Sequence, residues 1–220
     1  MYTSPEIVIG FHGCDKAIAD KVIKQGASLL KSENSYDWLG HGVYFWEGSQ
    51  ERALEWANQN KSIKEPAVVG AFIKLGHCID LLDSKYLKMV KTAYEMLSSE
   101  CEQLGEELPT NKTFKHGISF IRDLDCKVIL RLQQLNKAKI MEELNLSNAT
   151  GKNKKKIQNH PNFIDSVRGM FPEGGELYEG AGFREKNHIQ LCIVNPNSII
   201  GYFEPRKNDA SYKSHFGMDY

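Results

Sequence analysis

Apolar positions recur along the chain with two different periods, and the change from one to the other divides it. Residues 6–11 (EIVIGF), 43–46 (VYFW) and 67–75 (AVVGAFIKL) are continuous apolar runs, the pattern of strands buried on both faces. Residues 15–25 instead carry Ala17, Ala19, Val22 and Ile23 for burial along a helix, with Gly26 where a C-terminal cap belongs. Gly48 and Ser49 predict the cap of a second helix, with Ala53, Leu54, Trp56 and Ala57 as its apolar stripe. From Asp83 onward the helical period takes over, through Leu87, Val90, Tyr94 and Leu97 in 84–104. It continues through Ile118, Ile121, Leu124, Val128 and Leu132 in 113–135. Strand patterns return at 163–171, 187–194 and 198–203. In the second of these, Ile189, Leu191 and Ile193 share one face while His188, Gln190 and Cys192 share the other. Residues 146–160 read as a polar, basic loop, and 172–187 as a glycine-rich loop, mobile or sharply turned. The tail after Pro205 is polar and expected to fray.

This order predicts one α+β domain over residues 1–220. Its core is a split, mostly antiparallel sheet, and the helical segment 84–145 is an insertion packed at one side. No GxGxxG turn is present, so a doubly wound parallel sheet binding a dinucleotide is not expected.

Composition narrows the setting. With 220 residues the chain is long enough for one sizeable core. Its 28 basic residues balance 28 acidic ones, so no global positive field points to nucleic acid. The run Lys154-Lys155-Lys156 reads as solvated surface. Five cysteines are scattered without a CxxC pair, which argues against a zinc ribbon or a disulfide framework, and no metal is expected. The first residues lack the basic region and apolar run of a signal peptide, and no stretch has the length of a membrane span. The expectation is a cytoplasmic protein in a reducing compartment, with no membrane contact.

Candidate chemistry concentrates in residues 36–57, YDWLGHGVYFWEGSQERALEWA. Gly40 and Gly42 flank His41, which suits a backbone that turns sharply or lies close to a ligand. Tyr44 could stack on a planar ring, although a tyrosine in such a run is also ordinary core. His12-Gly13 closes the first apolar run. There an imidazole can face a cleft and glycine lets a flat group approach the backbone, or the pair simply makes a turn. Glu47 either faces the cleft or favours the start of the next helix. Arg168, embedded in VRGMF, either clamps a diphosphate or pairs with Asp165.

Taken together and in order, FHG at 11–13, GHGVYF at 40–45 and ALEWA at 53–57 resemble the catalytic domain of the poly- and mono-ADP-ribosyltransferases. The resemblance is to the diphtheria-toxin-like branch, whose first strand carries His-Gly and whose Gly-x-Gly-[IV]-Tyr-Phe element precedes a helix. It covers the first third well and the last third in outline, and the helical middle does not match. The resemblance implies an enzyme that uses NAD as substrate. His12 would bond ribose hydroxyls, the Gly13 backbone would hold the nicotinamide carboxamide, and Tyr44 would stack on the nicotinamide ring. Ser32 and Asn34 fall where relatives contact adenosine, and Gly42 lies in the turn that brings backbone to the dinucleotide.

Many relatives place a glutamate at the start of a late strand. This chain has NHIQLCIV there, with no acid on the strand. Gln190 shares a strand face with His188, echoing a polar-x-acid pair, but a glutamine cannot accept a proton from a hydroxyl. Glu185, just before the strand, is the alternative. Without the glutamate, a single transfer of ADP-ribose to a macromolecular acceptor, protein or nucleic acid, is expected in place of chain elongation. The compact form also resembles stand-alone bacterial toxin-like transferases, for which an antitoxin or inhibitor protein is the expected partner. Two other readings stay open: a non-catalytic NAD- or ADP-ribose-binding module, and an NAD glycohydrolase.

Overall fold

The computed structural model describes residues 5–113 and 119–206. It is an α+β protein built on a seven-stranded sheet in the order β4-β7-β8-β2-β1-β3-β9. The strands are β1 (Ile7–Asp15), β2 (Val43–Glu47), β3 (Pro66–Lys74), β4 (Cys78–Asp80), β7 (Ser166–Phe171), β8 (His188–Ile193) and β9 (Ile199–Phe203). Every neighbouring pair is antiparallel except β4 with β7.

β1 runs past the predicted turn at His12-Gly13 to Asp15. All nine of its residues pair with β3, from Ile7–Lys74 to Asp15–Pro66, and this long-range ladder overrides a local turn signal. Asp15 then accepts from the Ala17 N–H at 3.0 Å and starts α1 (Lys16–Gln25), which Gly26 ends in a left-handed conformation. Ser49 caps α2 (Gln50–Gln59) through the Arg52 N–H.

The alternation of side chains along the strands sorts the core into two clusters. Val43, Phe45, Leu191 and Ile193 join Ala19 and Val22 of α1, whereas Tyr44 and Cys192 belong with Ala93, Val128, Ile129 and Leu132. The latter four come from α3 (Ser84–Leu104) and α4 (Asp123–Glu143), the two long helices of the middle segment.

That segment departs from the sequence expectation in one place. The helix predicted over 113–135 begins only at Asp123, because β5 (Asn111–Thr113) and β6 (Ser119–Arg122) pair antiparallel ahead of it. Ile118, counted in the predicted helical stripe, lies outside the described residues. Asn111 explains the late start: its Oδ1 accepts the Leu124 and Asp125 N–H groups at 3.1 and 3.3 Å and caps α4 from another strand. The basic loop also forms a helix, α5 (Gly151–Gln158), anchored by the buried Ile157. β4 is too short to announce itself by periodicity. The tail expected to fray after Pro205 falls outside the described residues from 207 onward.

Candidate active-site cleft

The sheet parts between β1 and β2. Only Gly10–Glu47 and Phe11–Trp46 are in register across that junction, although β2 continues pairing with β8 through Val43–Ile193. The Ile9 carbonyl accepts from the Gly48 N–H at 2.9 Å, which turns the backbone of residues 9, 11 and 13 toward β2. The amide and carbonyl of Gly13 therefore face the opening, beyond the last paired residue. The Tyr44 carbonyl is taken by a side chain: His12 Nδ1 donates to it at 2.8 Å. A carbonyl can only accept, so Nδ1 carries the proton and Nε2 keeps its lone pair. Burial lowers the pKa of His12, the Tyr44 bond acting more weakly in the other direction, and the ring is neutral.

A cavity of about 450 Å³ occupies this opening. His12, Gly13, Ser32, Asn34, Tyr44 and Gln190 all line it, drawn from three strands and one loop. By strand register His12 shares a face with Phe45, whose ring it meets edge-on at 5.8 Å, while Tyr44 and Gln190 share the opposite face. One cavity reaches both sets because the sheet is open there.

Tyr44 is half-buried with its hydroxyl fully engaged. It donates to the Gly40 carbonyl at 2.8 Å and accepts from the Leu39 N–H at 3.0 Å. Burial drives the phenol pKa up, so it does no proton transfer near neutrality. The hydroxyl pins the preceding loop, and the ring is left as a fixed surface on the cavity wall.

Gln190 is oriented from behind. His188 Nδ1 lies 2.7 Å from the Lys186 carbonyl and donates to it, so its Nε2 accepts from the Gln190 amide nitrogen at 3.1 Å. The glutamine Oε1 makes no hydrogen bond to the described residues and is the acceptor available to a ligand. His188 itself is buried, stacked on Phe171 at 5.3 Å, and does not line the cavity; it positions Gln190. Burial lowers its pKa as well, against the opposing effects of the Lys186 carbonyl and Glu173.

Four more of the candidate residues stand elsewhere. Gly42 bonds both ways with Ser32, at 2.8 and 3.1 Å, and an added Cβ would lie 2.5 Å from Cys192 Sγ; it holds Ser32 in place and does not line the cavity. Arg168 neither reaches the cleft nor pairs with Asp165. It is buried with Nε and Nη2 on the Glu47 carboxylate at 2.7 and 2.9 Å and Nη1 on Asp80 at 3.0 Å. The Asp165 carboxylate takes the His77 N–H and the Asn195 side chain instead. Glu47 is thereby withdrawn from the cleft. Glu185 lies in the 172–187 segment, where its Oε2 accepts from the Gly175 N–H at 3.1 Å, outside the cavity.

That segment is less loose than its glycines suggest. Glu176 bridges Arg184, Leu177 N–H donates to Phe183, and Glu185 N–H donates to Gly175, which makes a small hairpin. Arg52–Glu173 and Lys186–Glu55 tie its base to α2. Its tip exposes Leu177, Tyr178 and Phe183.

Sequence reasoning missed Asp37, Trp38, Trp46, Trp56, Arg122, Phe171 and Glu173, which also line the cavity. Trp46 and Trp56 sit inside the glycine-aromatic stretch and were legible as aromatics without a direction. Arg122 lies 4.3 Å from the Trp38 ring centre and 5.7 Å from that of Phe171, a placement only the fold produces. Among the described residues, no group of three or more His, Cys, Asp or Glu side chains is arranged to hold a metal, and no helix is long and apolar enough to cross a membrane.

What fold and cleft define together is an α+β protein with an aromatic-lined site in a parted antiparallel sheet. No family model matches the chain, and no solved structure matches it. It is 26% identical over 208 residues to an uncharacterized protein of Methanocaldococcus jannaschii, an alignment covering 86% of this chain and 83% of that protein.

Proposed function

We propose that the protein is an NAD-dependent mono-ADP-ribosyltransferase acting on a macromolecular acceptor. The observation that carries this reading is the meeting of His12, Gly13, Tyr44 and Gln190 where β1 and β2 part. In the proposed reaction His12 Nε2 and Gln190 Oε1 accept hydrogen bonds from ribose hydroxyls, and the freed Gly13 backbone holds the carboxamide. The Tyr44 ring supports the nicotinamide. The glycosidic C–N bond breaks with its electron pair going to the ring nitrogen, and the acceptor nucleophile bonds to the ribose carbon and loses its proton to water. Such a step passes through an oxocarbenium-like state, so positioning and electrostatics supply most of the rate. With Arg168 sequestered, Arg122 is the guanidinium placed to meet the diphosphate.

Gln190 favours one transfer per site, since it cannot take a proton from a ribose hydroxyl that would extend a chain. The same residue supports the second reading, a binding module for NAD or ADP-ribose, and an NAD glycohydrolase would use the same groups with water as acceptor. Acceptor choice is assigned to the exposed hairpin tip at Leu177, Tyr178 and Phe183, and an inhibitor protein would cover this mouth. Incubation with labelled NAD and cell lysate tests the reading. Label on protein or nucleic acid supports transfer, free ADP-ribose marks hydrolysis, and intact NAD with measurable binding marks the module.

A further inference from the structure

Two carboxylates line the cleft, and their surroundings differ. Glu173 is matched by Arg52 Nη2 at 2.8 Å, with His188 Nδ1 at 3.8 Å. Asp37 is only 9% exposed, and Asn34 supplies its hydrogen bonds: the backbone N–H at 2.9 Å and the side-chain amide at 3.5 Å. Among the described residues Asp37 has no cationic partner. The guanidinium that shares the cleft, Arg122, is held over Trp38 and paired with Asp125 at 3.4 Å. A buried carboxylate without counter-charge is unfavourable, so a cation placed against Asp37 would be stabilised there.

The walls around it suit such a charge. Tyr36, Tyr44, Trp46 and Trp56 line the same cavity, beside Trp38 and Phe171 whose rings already meet Arg122, and aromatic faces attract cations.

We infer that the cleft is a receptor for a planar organic cation, with Asp37 as its counter-ion. The charge class follows from the cleft alone; the ligand's name rests on the reading above. There the cation is the oxidised, pyridinium ring of NAD, with its carboxamide on the Gly13 backbone. Asp37 then selects oxidised over reduced dinucleotide, whose ring is neutral. When the glycosidic bond breaks, the electron pair neutralises the ring nitrogen, the attraction to Asp37 is lost, and nicotinamide departs more easily.

The three tryptophans in the wall make intrinsic fluorescence the readout. The full chain is titrated at low salt with 1-methylnicotinamide, a cation, and with nicotinamide, its neutral counterpart. The cation is expected to bind about tenfold tighter or better. Asp37→Asn, checked for folding by its thermal midpoint, is expected to bring the two within about twofold. Equal affinities in the wild type overturn the inference without any variant, and so does a preference that survives Asp37→Asn. The labelled-NAD assay separates the two proposals. Transfer without cation preference removes the counter-ion role and leaves the transferase standing, whereas cation preference with NAD left intact upholds the receptor and removes the transferase.

Discussion

Arg168 and Asp37 are both buried charges carried by this sheet and its loops, and they are treated in opposite ways. Arg168 is enclosed by Glu47 and Asp80, which bond all three of its nitrogens. Among the described residues the Asp37 carboxylate is hydrogen-bonded only by the neutral Asn34, and it lines a cavity of about 450 Å³. A closed ionic centre leaves nothing for a ligand to supply, so its worth is read in stability. An open one can take its counter-charge from a ligand, so its worth is read in binding.

The largest expected effect tests the closed centre. Arg168→Met strands two carboxylates, Glu47 and Asp80, and is expected to cost about 3–5 kcal/mol in urea unfolding. Asp37→Asn should change stability by about 1 kcal/mol or less, since Asn34 still has an oxygen to donate to. Comparable losses in both would erase the distinction between the two centres.

Next in size are the groups assigned to the reaction. Gln190→Ala is expected to lower label transfer on the order of 10²-fold, through lost positioning of the ribose. Gln190→Glu should retain or raise it, since a carboxylate adds stabilisation of developing positive charge. Glu185→Gln should leave the rate within about twofold, because that carboxylate only braces Gly175. A collapse in Glu185→Gln with a normal rate in Gln190→Ala would reverse the assignment.

Tyr44→Phe keeps the stacking ring and deletes the hydroxyl that pins Leu39 and Gly40. A loss of about 1–3 kcal/mol in stability is expected, with only a small change in NAD affinity. Tyr44→Ala removes hydroxyl and ring together, so it should cost more stability than Tyr44→Phe and, unlike Tyr44→Phe, also weaken NAD binding.

Acid should act through the two neutral histidines. His12 and His188 have pKa values lowered from 6.5 by burial, so below that value the unfolded chain binds more protons than the folded one. Their contribution to stability is complete above pH 6.5 and declines as pH falls, by up to about 1.4 kcal/mol per unit for each ring. Urea midpoints measured from pH 7.5 to 5.5 should fall accordingly; a flat profile would mean that the rings are free to charge in place. Smallest of all, exchanging residues 176–182 should change which macromolecules are labelled while NAD affinity stays within about twofold, because the hairpin tip lies off the cavity.

Local pattern was sufficient for what depends on a few neighbouring residues. Apolar period located β1, β2, β3, β8 and β9 and the helices α1 to α3, whereas His12 and Tyr44 were paired by the family resemblance, each alone reading equally well as turn or core. It failed where a distant partner decides. β1 continues through its own turn signal because β3 pairs with it, α4 waits for a cap from Asn111, and a basic stretch becomes α5 because Ile157 is buried. The site divides along the same line. Glycine at 13 is legible as an allowance for close approach, but the approach is partly to the protein itself, since an added Cβ would meet the Ala53 carbonyl at 2.2 Å. Asp37, Arg122 and Glu173 carry no local mark, because a carboxylate or guanidinium reads alike in sequence whether it is solvated, paired or facing a cleft. Arg168 took its partners, and Asp37 was left without a cation, through contacts between elements far apart in the chain. Charge acts through space, and only the tertiary structure sets those distances.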